Sequence, residues 1–381
     1  MDASIVVVGA GLAGTSVVRE LRKLDAEVGV VVVSADNADI YAKPNLSNAL
    51  AIGKAPSGLV QSSGADWATK NGVTLLAETT IESVDRSRKV LVTNRGEIAY
   101  RALVLAVGAS PVRLTLSGDG VDRVRSVNSL GDYAVFRQDL TDARSVAVIG
   151  GGLVGCEFAD DLRAAGLEVV VFDPGTHPLG RLLPTETGSW MRASLEKAGI
   201  RFLAGTGATE VHREGARLKL LDNRGGVHVV DAVLSAVGLR PHLDLAKAAG
   251  LAVNRGIVVD RFLRTNDPDI HALGDCAEVQ GLVLPFVQPI LHAARALAKT
   301  LSGTPTEVRY PAMPVVVKTP SAPLVVCPPP LGVDGNWQET VGDAGAVSVF
   351  VDASGNPAGF VLAGDKVKER NAWSSRVPDW L

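Results

Sequence analysis

The sequence predicts an α/β protein in which two doubly wound dinucleotide-binding domains interlock and a small α+β domain follows them. Three observations carry that prediction. A glycine-rich strand-to-helix turn opens the chain, the same turn recurs with its first glycine 141 residues later, and composition changes abruptly from Pro311 onward.

The opening turn is IVVVGAGLAGT, Ile5 to Thr15. A run of β-branched residues favours a strand and breaks directly into Gly9, Ala10, Gly11, Leu12, Ala13 and Gly14. Gly9 permits the sharp turn, Gly11 lets backbone approach a pyrophosphate, and Gly14 lets the new helix pack close to the strand. The phosphates then sit on free N–H groups at the helix N-terminus. An ordinary glycine-rich turn has the same glycines; a strand before it and a helix after it, Ser16 to Leu24, mark a dinucleotide site.

Glu27 to Val33 is a continuous valine-rich strand of the kind buried on both faces in a parallel sheet, and it closes a βαβ unit. An acid that holds an adenosine ribose belongs at its end, where the chain has Ser34-Ala35-Asp36. Either Ser34 or Asp36 takes that hydroxyl. Tyr41 to Asn48 is a polar turn leading into a short helix, in which Lys43 before Pro44 is a solvated loop charge or a functional cation. Strands follow at Gly72 to Leu76 and Thr79 to Val84, then a hairpin of Lys89 to Thr93 and Glu97 to Arg101 around Asn94-Arg95-Gly96. Leu103 to Val107 is a further strand, stopped by Gly108-Ala109-Ser110-Pro111.

From Ser145 the opening pattern repeats as SVAVIGGGLVGCEFADDL, with Gly150, Gly152 and Gly155 between strand and helix. This unit closes with Leu167 to Phe172 and does end in an acid, Asp173, 18 residues beyond Gly155, the spacing of a carboxylate on a ribose 2′-hydroxyl. Val233 to Val237 followed by Gly238-Leu239-Arg240-Pro241 echoes the strand and stop at Leu103 to Pro111. The second nucleotide-binding sheet is therefore inserted into the first, with expected domains at 1–111 plus 239–310, 112–238 and 311–381. Thr265 to Asp275 is a strand ending in Gly274-Asp275, with an apolar helix, Ile290 to Leu301, after it. Asp275 would serve as a turn residue in isolation; beside two nucleotide folds it is better assigned to a second ribityl or ribose group. Seven prolines between Pro311 and Pro330 enclose short alternating pieces, Val315 to Lys318 and Leu324 to Val326, which predict edge strands and loops.

Composition narrows the function classes. Thirty-eight basic and 41 acidic residues leave a formal charge of −3, which supplies no general attraction to nucleic acid or to anionic lipid. No apolar run reaches the roughly 18 residues a membrane helix needs, so membrane insertion is not expected. The start MDAS passes directly into the first strand, which predicts a cytoplasmic protein. Cys156, Cys276 and Cys327 lie far apart, form no CxxC or CxxxxC, and are expected to be small buried hydrophobes, with no metal site.

Together these motifs resemble the pyridine-nucleotide-disulfide oxidoreductase superfamily, whose members have two interlocked Rossmann-like domains and a smaller C-terminal one. Within it YAKPNLS, GGLVGCEFADDL, SAVGLRP, GLAVNRGIVVDRFLRT, HALGDCAEVQGL, PVVVKTP and PLVVCPPP resemble the rubredoxin-NAD(+) reductase family. The resemblance implies FAD on the first fingerprint and NADH on the second. It places Gly9 to Ala13 at the FAD pyrophosphate, with Ser34 and Ala35 flanking the adenosine ribose and Ile81 meeting adenine by its backbone. Ala106, Gly108, Gly238 and Gly274 complete the loops around the cofactors. Asp275 holds the ribityl chain, Val287 presents its backbone to the flavin ring, and Lys43, with Pro44 beside it, and Lys318 are the candidate cations near the isoalloxazine. Glu157, in GCEF, is the counterpart of a glutamate that pairs in related enzymes with a lysine close to flavin N5. Ferredoxin reductases carry that lysine in RPPLSK, where this chain has Asn48, so the pair forms only if Lys43 replaces that lysine.

Disulfide reductases of the superfamily carry a CxxxxC beside the flavin, and peroxidases a single cysteine in the stretch occupied here by Tyr41 to Leu50, which has none. Electrons must then leave the flavin directly for an outside acceptor. The expected acceptor is rubredoxin, a small acidic iron protein feeding a downstream oxygenase such as an alkane hydroxylase or an oxygen-reducing enzyme. The alternatives are a ferredoxin or a flavorubredoxin-type nitric oxide reductase as acceptor, and, from another class, a redox-sensing flavoprotein.

Overall fold

The computed structural model describes residues 4–381. Met1, Asp2 and Ala3, on which the expectation about the chain start rests, lie outside the described residues. The first sheet has seven strands, in the order Thr74–Leu76, Val30–Val33, Ser4–Val8, Gly96–Leu105, Val90–Thr93 and Ile81–Asp85, with Ile270–Ala272 also paired to Gly96–Leu105. Val6 lies opposite Val31 on one side and Leu103 on the other, both pairings parallel. Burial on both faces is why Ile5 to Val8 and Val30–Val33 are valine and isoleucine throughout. Helix Leu12–Leu24 buries Val17, Val18 and Leu21 and packs on helix Val287–Leu301, which buries Ile290, Ala294 and Leu297. Each buried valine, leucine or isoleucine among these contributes about 1.5–3 kcal/mol. Pro289 lies in the first turn of the second helix, where its missing N–H has no intrahelical partner to lose.

The separate strands expected at Glu97 to Arg101 and Leu103 to Val107 are one ten-residue strand, Gly96–Leu105. Its first half pairs antiparallel with Val90–Thr93 and its second half parallel with Ser4–Val8. No Gly, Pro, Asn or Asp stands between the halves to break the chain. Leaving this sheet along Ala109–Pro111, the chain returns along Leu239–Pro241, and the two connectors pair antiparallel with Arg240 opposite Ser110.

Between the connectors lies a five-stranded parallel sheet ordered Val124–Arg125, Ala232–Ser235, Ser145–Ile149, Glu168–Asp173 and Ile200–Ala204, beside an antiparallel meander of Ala208–Glu214, Arg217–Asp222 and Val227–Val230. The last sheet is antiparallel and ordered Val315–Val317, Leu324–Cys327, Pro357–Gly364, Gly345–Asp352 and Gly335–Gly342. Val315–Val317 is an edge, but Leu324–Cys327, expected as one, is interior and buried at all four positions. Pro320, Pro323 and Pro328 flank this strand without entering it, so no ladder N–H is lost. Among the described residues no helix is long and apolar enough to cross a membrane.

One core residue carries a pH signature. His271, in strand Ile270–Ala272, is 4% exposed, and its Nδ1 has no hydrogen-bond partner. Burial lowers its pKa from 6.5 to about 4, against the opposing pull of the Asp260 carboxylate and with the Arg264 charge acting in the same direction as burial. The imidazole stays neutral in the folded protein while the unfolded chain takes up a proton, so the stability present above pH 6.5 is lost as pH falls towards 4. The loss amounts to about 3 kcal/mol. His271→Leu is expected to flatten the acid limb of a urea midpoint-versus-pH curve; an unchanged slope excludes His271 as its source.

Candidate active site

At the first glycine loop, Gly9 has φ +107°, and a Cβ there would run into the Ala106 carbonyl oxygen. The Ala106 N–H donates to the Val8 carbonyl at 2.9 Å, which holds the two strand ends at that spacing. A Cβ on Gly14 would strike the Gly9 carbonyl and come within 3.1 Å of Val7. At Gly11 a Cβ would meet nothing within 4 Å, so the open side of the loop is the side from which a pyrophosphate reaches the helix starting at Leu12. Gly274, at φ +81°, would place a Cβ 2.8 Å from that of Ala13, so the end of strand Ile270–Ala272 presses on the same helix start.

The second loop repeats this geometry. Gly150 has φ +109° with a Cβ position 2.6 Å from the Ala236 carbonyl, Gly155 abuts the Gly150 carbonyl, and Gly152 is open. Gly108 and Gly238, at φ +68° and +113°, turn the chain at the ends of the two connectors. Asp173 accepts from the Gly151 N–H at 2.5 Å with one oxygen and from the Gly175 N–H at 2.7 Å with the other. Its carboxylate is thus fastened at the mouth of the loop with lone pairs still available on both oxygens.

Ser34 and Asp36, the alternatives for the ribose of the first fold, form one unit: the Ser34 hydroxyl donates to Asp36 Oδ1 at 2.6 Å, and the Ala38 N–H donates to the same oxygen at 3.0 Å. Ser34 is buried, whereas Ala35 and Asp36 are exposed. The Thr79 N–H donates to the Ser34 carbonyl, which brings Ile81, the first residue of strand Ile81–Asp85, close to this turn. Asp275 is half-buried, and no described residue donates a hydrogen bond to its carboxylate. Burial pushes its pKa up while the Lys43 ammonium pulls it down. Burial likewise lowers the pKa of Lys43, and Asp275 opposes that shift. Val287 is the first residue of its helix and is exposed.

The lysine that pairs with Glu157 is Lys318, not Lys43. Lys318 Nζ lies 2.5 Å from Glu157 Oε2, and the Lys318 backbone N–H donates to Glu157 Oε1 at 3.0 Å. Glu157, 2% exposed in helix Leu153–Ala164, also accepts from the Ser47 hydroxyl at 2.6 Å. Lys43 instead donates to Asn128 Oδ1 at 3.3 Å, and the Asn128 amide donates to the Ala109 carbonyl at 2.8 Å. Sequence reasoning missed both Ser47 and Asn128. They lie 110 and 85 residues from the groups they hold, and neither belongs to a spacing motif.

Two open glycine loops at helix starts, a half-buried carboxylate to which no described residue donates and two lysines, one in the turn Lys43–Asn48 and one bonded to it, fit one flavin dinucleotide and one nicotinamide dinucleotide. Cys156, Cys276 and Cys327 are all buried. Burial pushes every one of these thiols up, Cys276 to about 11 and Cys327 to about 12, which leaves no thiolate at neutral pH.

Residues 3–298 match the pyridine nucleotide-disulphide oxidoreductase family and residues 307–377 match the rubredoxin binding C-terminal domain. A rubredoxin-NAD(+) reductase of Acinetobacter baylyi is 44% identical over 99% of this chain and 98% of its own. A nitric oxide reductase FlRd-NAD(+) reductase of Aeromonas hydrophila is 41% identical over 95% of this chain and 93% of its own. Among solved structures, the ferredoxin reductase for the CYP199A2 system from Rhodopseudomonas palustris superposes with a TM-score of 0.88 at 28% identity, covering 99% of this chain and 96% of that one.

Proposed function

The chain belongs to the pyridine nucleotide-disulphide oxidoreductase family, and from that premise we propose that it oxidises NADH and delivers the electrons through FAD to rubredoxin. When bound, FAD would supply the redox chemistry, two-electron towards NADH and one-electron towards the acceptor. The carrying observation is that a rubredoxin-binding domain follows the two nucleotide folds and contributes Lys318, which is tied to Glu157 of the second fold.

The residue roles follow from chemistry. Gly9 to Gly14 cradle the FAD pyrophosphate, Asp275 accepts from a ribityl hydroxyl, and Lys43 and Lys318 place positive charge where reduction adds negative charge. Gly150, Gly152 and Gly155 seat the NADH pyrophosphate, and Asp173 takes its ribose hydroxyl. We assign 1–111 with 239–310 to FAD, 112–238 to NADH and 311–381 to the acceptor, and place the protein in the cytoplasm.

An open groove of about 510 Å³ in the third domain is lined by Val316, Lys318, Val367, Lys368 and Arg370 among others. On a protein of net charge −3, and with the Lys318 charge compensated by Glu157, Lys368 and Arg370 supply a local attraction for an acidic carrier.

A stopped-flow comparison of NADH-reduced protein against rubredoxin, ferredoxin and glutathione disulfide tests the reading. Fast reoxidation by rubredoxin and none by the disulfide is expected; a faster ferredoxin reaction overturns the choice of acceptor. The likeness to nitric oxide reductase FlRd-NAD(+) reductases favours a second reading, in which the rubredoxin centre is a domain of a larger enzyme. With every thiol buried, the protein in which Cys156, Cys276 and Cys327 are all Ser is expected to keep most of its NADH-to-rubredoxin activity. Its association rate should fall as salt shortens the Debye length to about 8 Å at physiological ionic strength. A Cys-free protein that folds and binds FAD yet is inactive overturns direct transfer; a salt-independent rate removes the electrostatic docking.

A further inference from the structure

Lys318 has an ammonium with three N–H bonds, and the structure gives each an acceptor: the Pro44 carbonyl at 2.5 Å, the Ser47 hydroxyl at 2.7 Å and Glu157 Oε2 at 2.5 Å. The Ser47 hydroxyl in turn donates to Glu157 Oε2, which closes a ring of serine, glutamate and lysine. Its members come from three parts of the chain: helical turn Lys43–Asn48, helix Leu153–Ala164 and the residue after strand Val315–Val317. Ser47 and Glu157 are buried, at 4% and 2% exposure, while the Lys318 side chain keeps 27%, so the lysine is the member with a route to water.

We propose that Ser47 is a positioning residue that, with the Pro44 carbonyl and Glu157, engages every N–H of Lys318 and fixes its ammonium as a static charge beside the flavin. This rests on the proposed placing of Lys318 near the isoalloxazine. With the Glu157 carboxylate on the buried side of the pair and the Lys318 ammonium on the open side, the ammonium end stabilises the charge added on reduction and raises the flavin potential. Without the Ser47 hydroxyl, Lys318 has one N–H without an acceptor and Glu157 loses a donor, and the flexible side chain relaxes towards solvent, where the charge is screened.

The test is spectroelectrochemical titration of the FAD-loaded protein. Ser47→Ala is expected to lower the two-electron midpoint potential by about 30 mV, a tenfold change in the reduction equilibrium. Ser47→Thr, which keeps the hydroxyl, should hold the wild-type value, and Lys318→Met should fall at least as far as Ser47→Ala. Should the alanine variant fail to fold, Ser47→Cys, similar in shape but weak in hydrogen bonding, must show the same fall. A potential unmoved in the Ser47 variants but lowered in Lys318→Met overturns the role of Ser47. A potential unmoved in all of them overturns the placing of Lys318 beside the flavin.

Discussion

Asp275→Ala is expected to yield a protein that loses its flavin. The Asp275 carboxylate is half-buried, receives no hydrogen bond from a described residue and has a raised pKa because burial outweighs the opposing pull of Lys43. A group in that condition gains from a donor that the protein does not supply, and a ribityl hydroxyl is such a donor. Hydrogen bonds to a charged group are worth about 1.5–3 kcal/mol, so the alanine variant should bind FAD roughly tenfold to more than a hundredfold more weakly. Titrating apoprotein by quenching of flavin fluorescence measures this directly. Asp275→Asn, which keeps an acceptor but loses the charge facing Lys43, should fall between wild type and alanine. Wild-type affinity in Asp275→Ala would remove Asp275 from the FAD site.

A strong preference for NADH over NADPH is the second large effect, and Asp173 is its source. The Gly151 and Gly175 N–H groups fasten both carboxylate oxygens, so the side chain cannot swing away from a 2′-phosphate. An unrelieved like-charge contact costs about 1.4 to 2.7 kcal/mol, roughly tenfold to a hundredfold in affinity. Ratios of kcat/KM for the two coenzymes should therefore differ by at least tenfold in wild type, and Asp173→Ala should narrow the gap by a comparable factor. Equal efficiency with both coenzymes in the wild-type protein contradicts this role.

The glycine loops and the buried strands that lead into them were legible because their causes are local. A positive φ at Gly9 and Gly150 and the close helix approach at Gly14 and Gly155 are demands made within a few residues of chain, and glycine alone meets them. Runs such as Val30–Val33 and Val146 to Ile149 are apolar at every position because both faces are covered, and that pattern is visible without coordinates. Strand limits were less legible. Tyr100 and Ala102 are buried around the exposed Arg101, so the alternation carries Gly96–Leu105 through the point where the pairing changes from antiparallel to parallel, with no residue to mark the change.

By itself, then, the sequence determined what depends on neighbours in the chain: two nucleotide-binding loops, an acid 18 residues beyond Gly155, and no thiol between Tyr41 and Leu50. Only the tertiary structure decided which lysine meets Glu157. Lys43 and Lys318 are equivalent as residues on a line, but Lys318 lies 161 positions from Glu157 and reaches it because the loop after strand Val315–Val317 is held on helix Leu153–Ala164, where the Ser321 hydroxyl also donates to Asp160. The same holds for Ser47, whose hydroxyl matters only once three distant segments converge on one buried carboxylate. Partners in a hydrogen-bonded ring are chosen by the packing of sheets and helices, and no period or spacing in the chain encodes that choice.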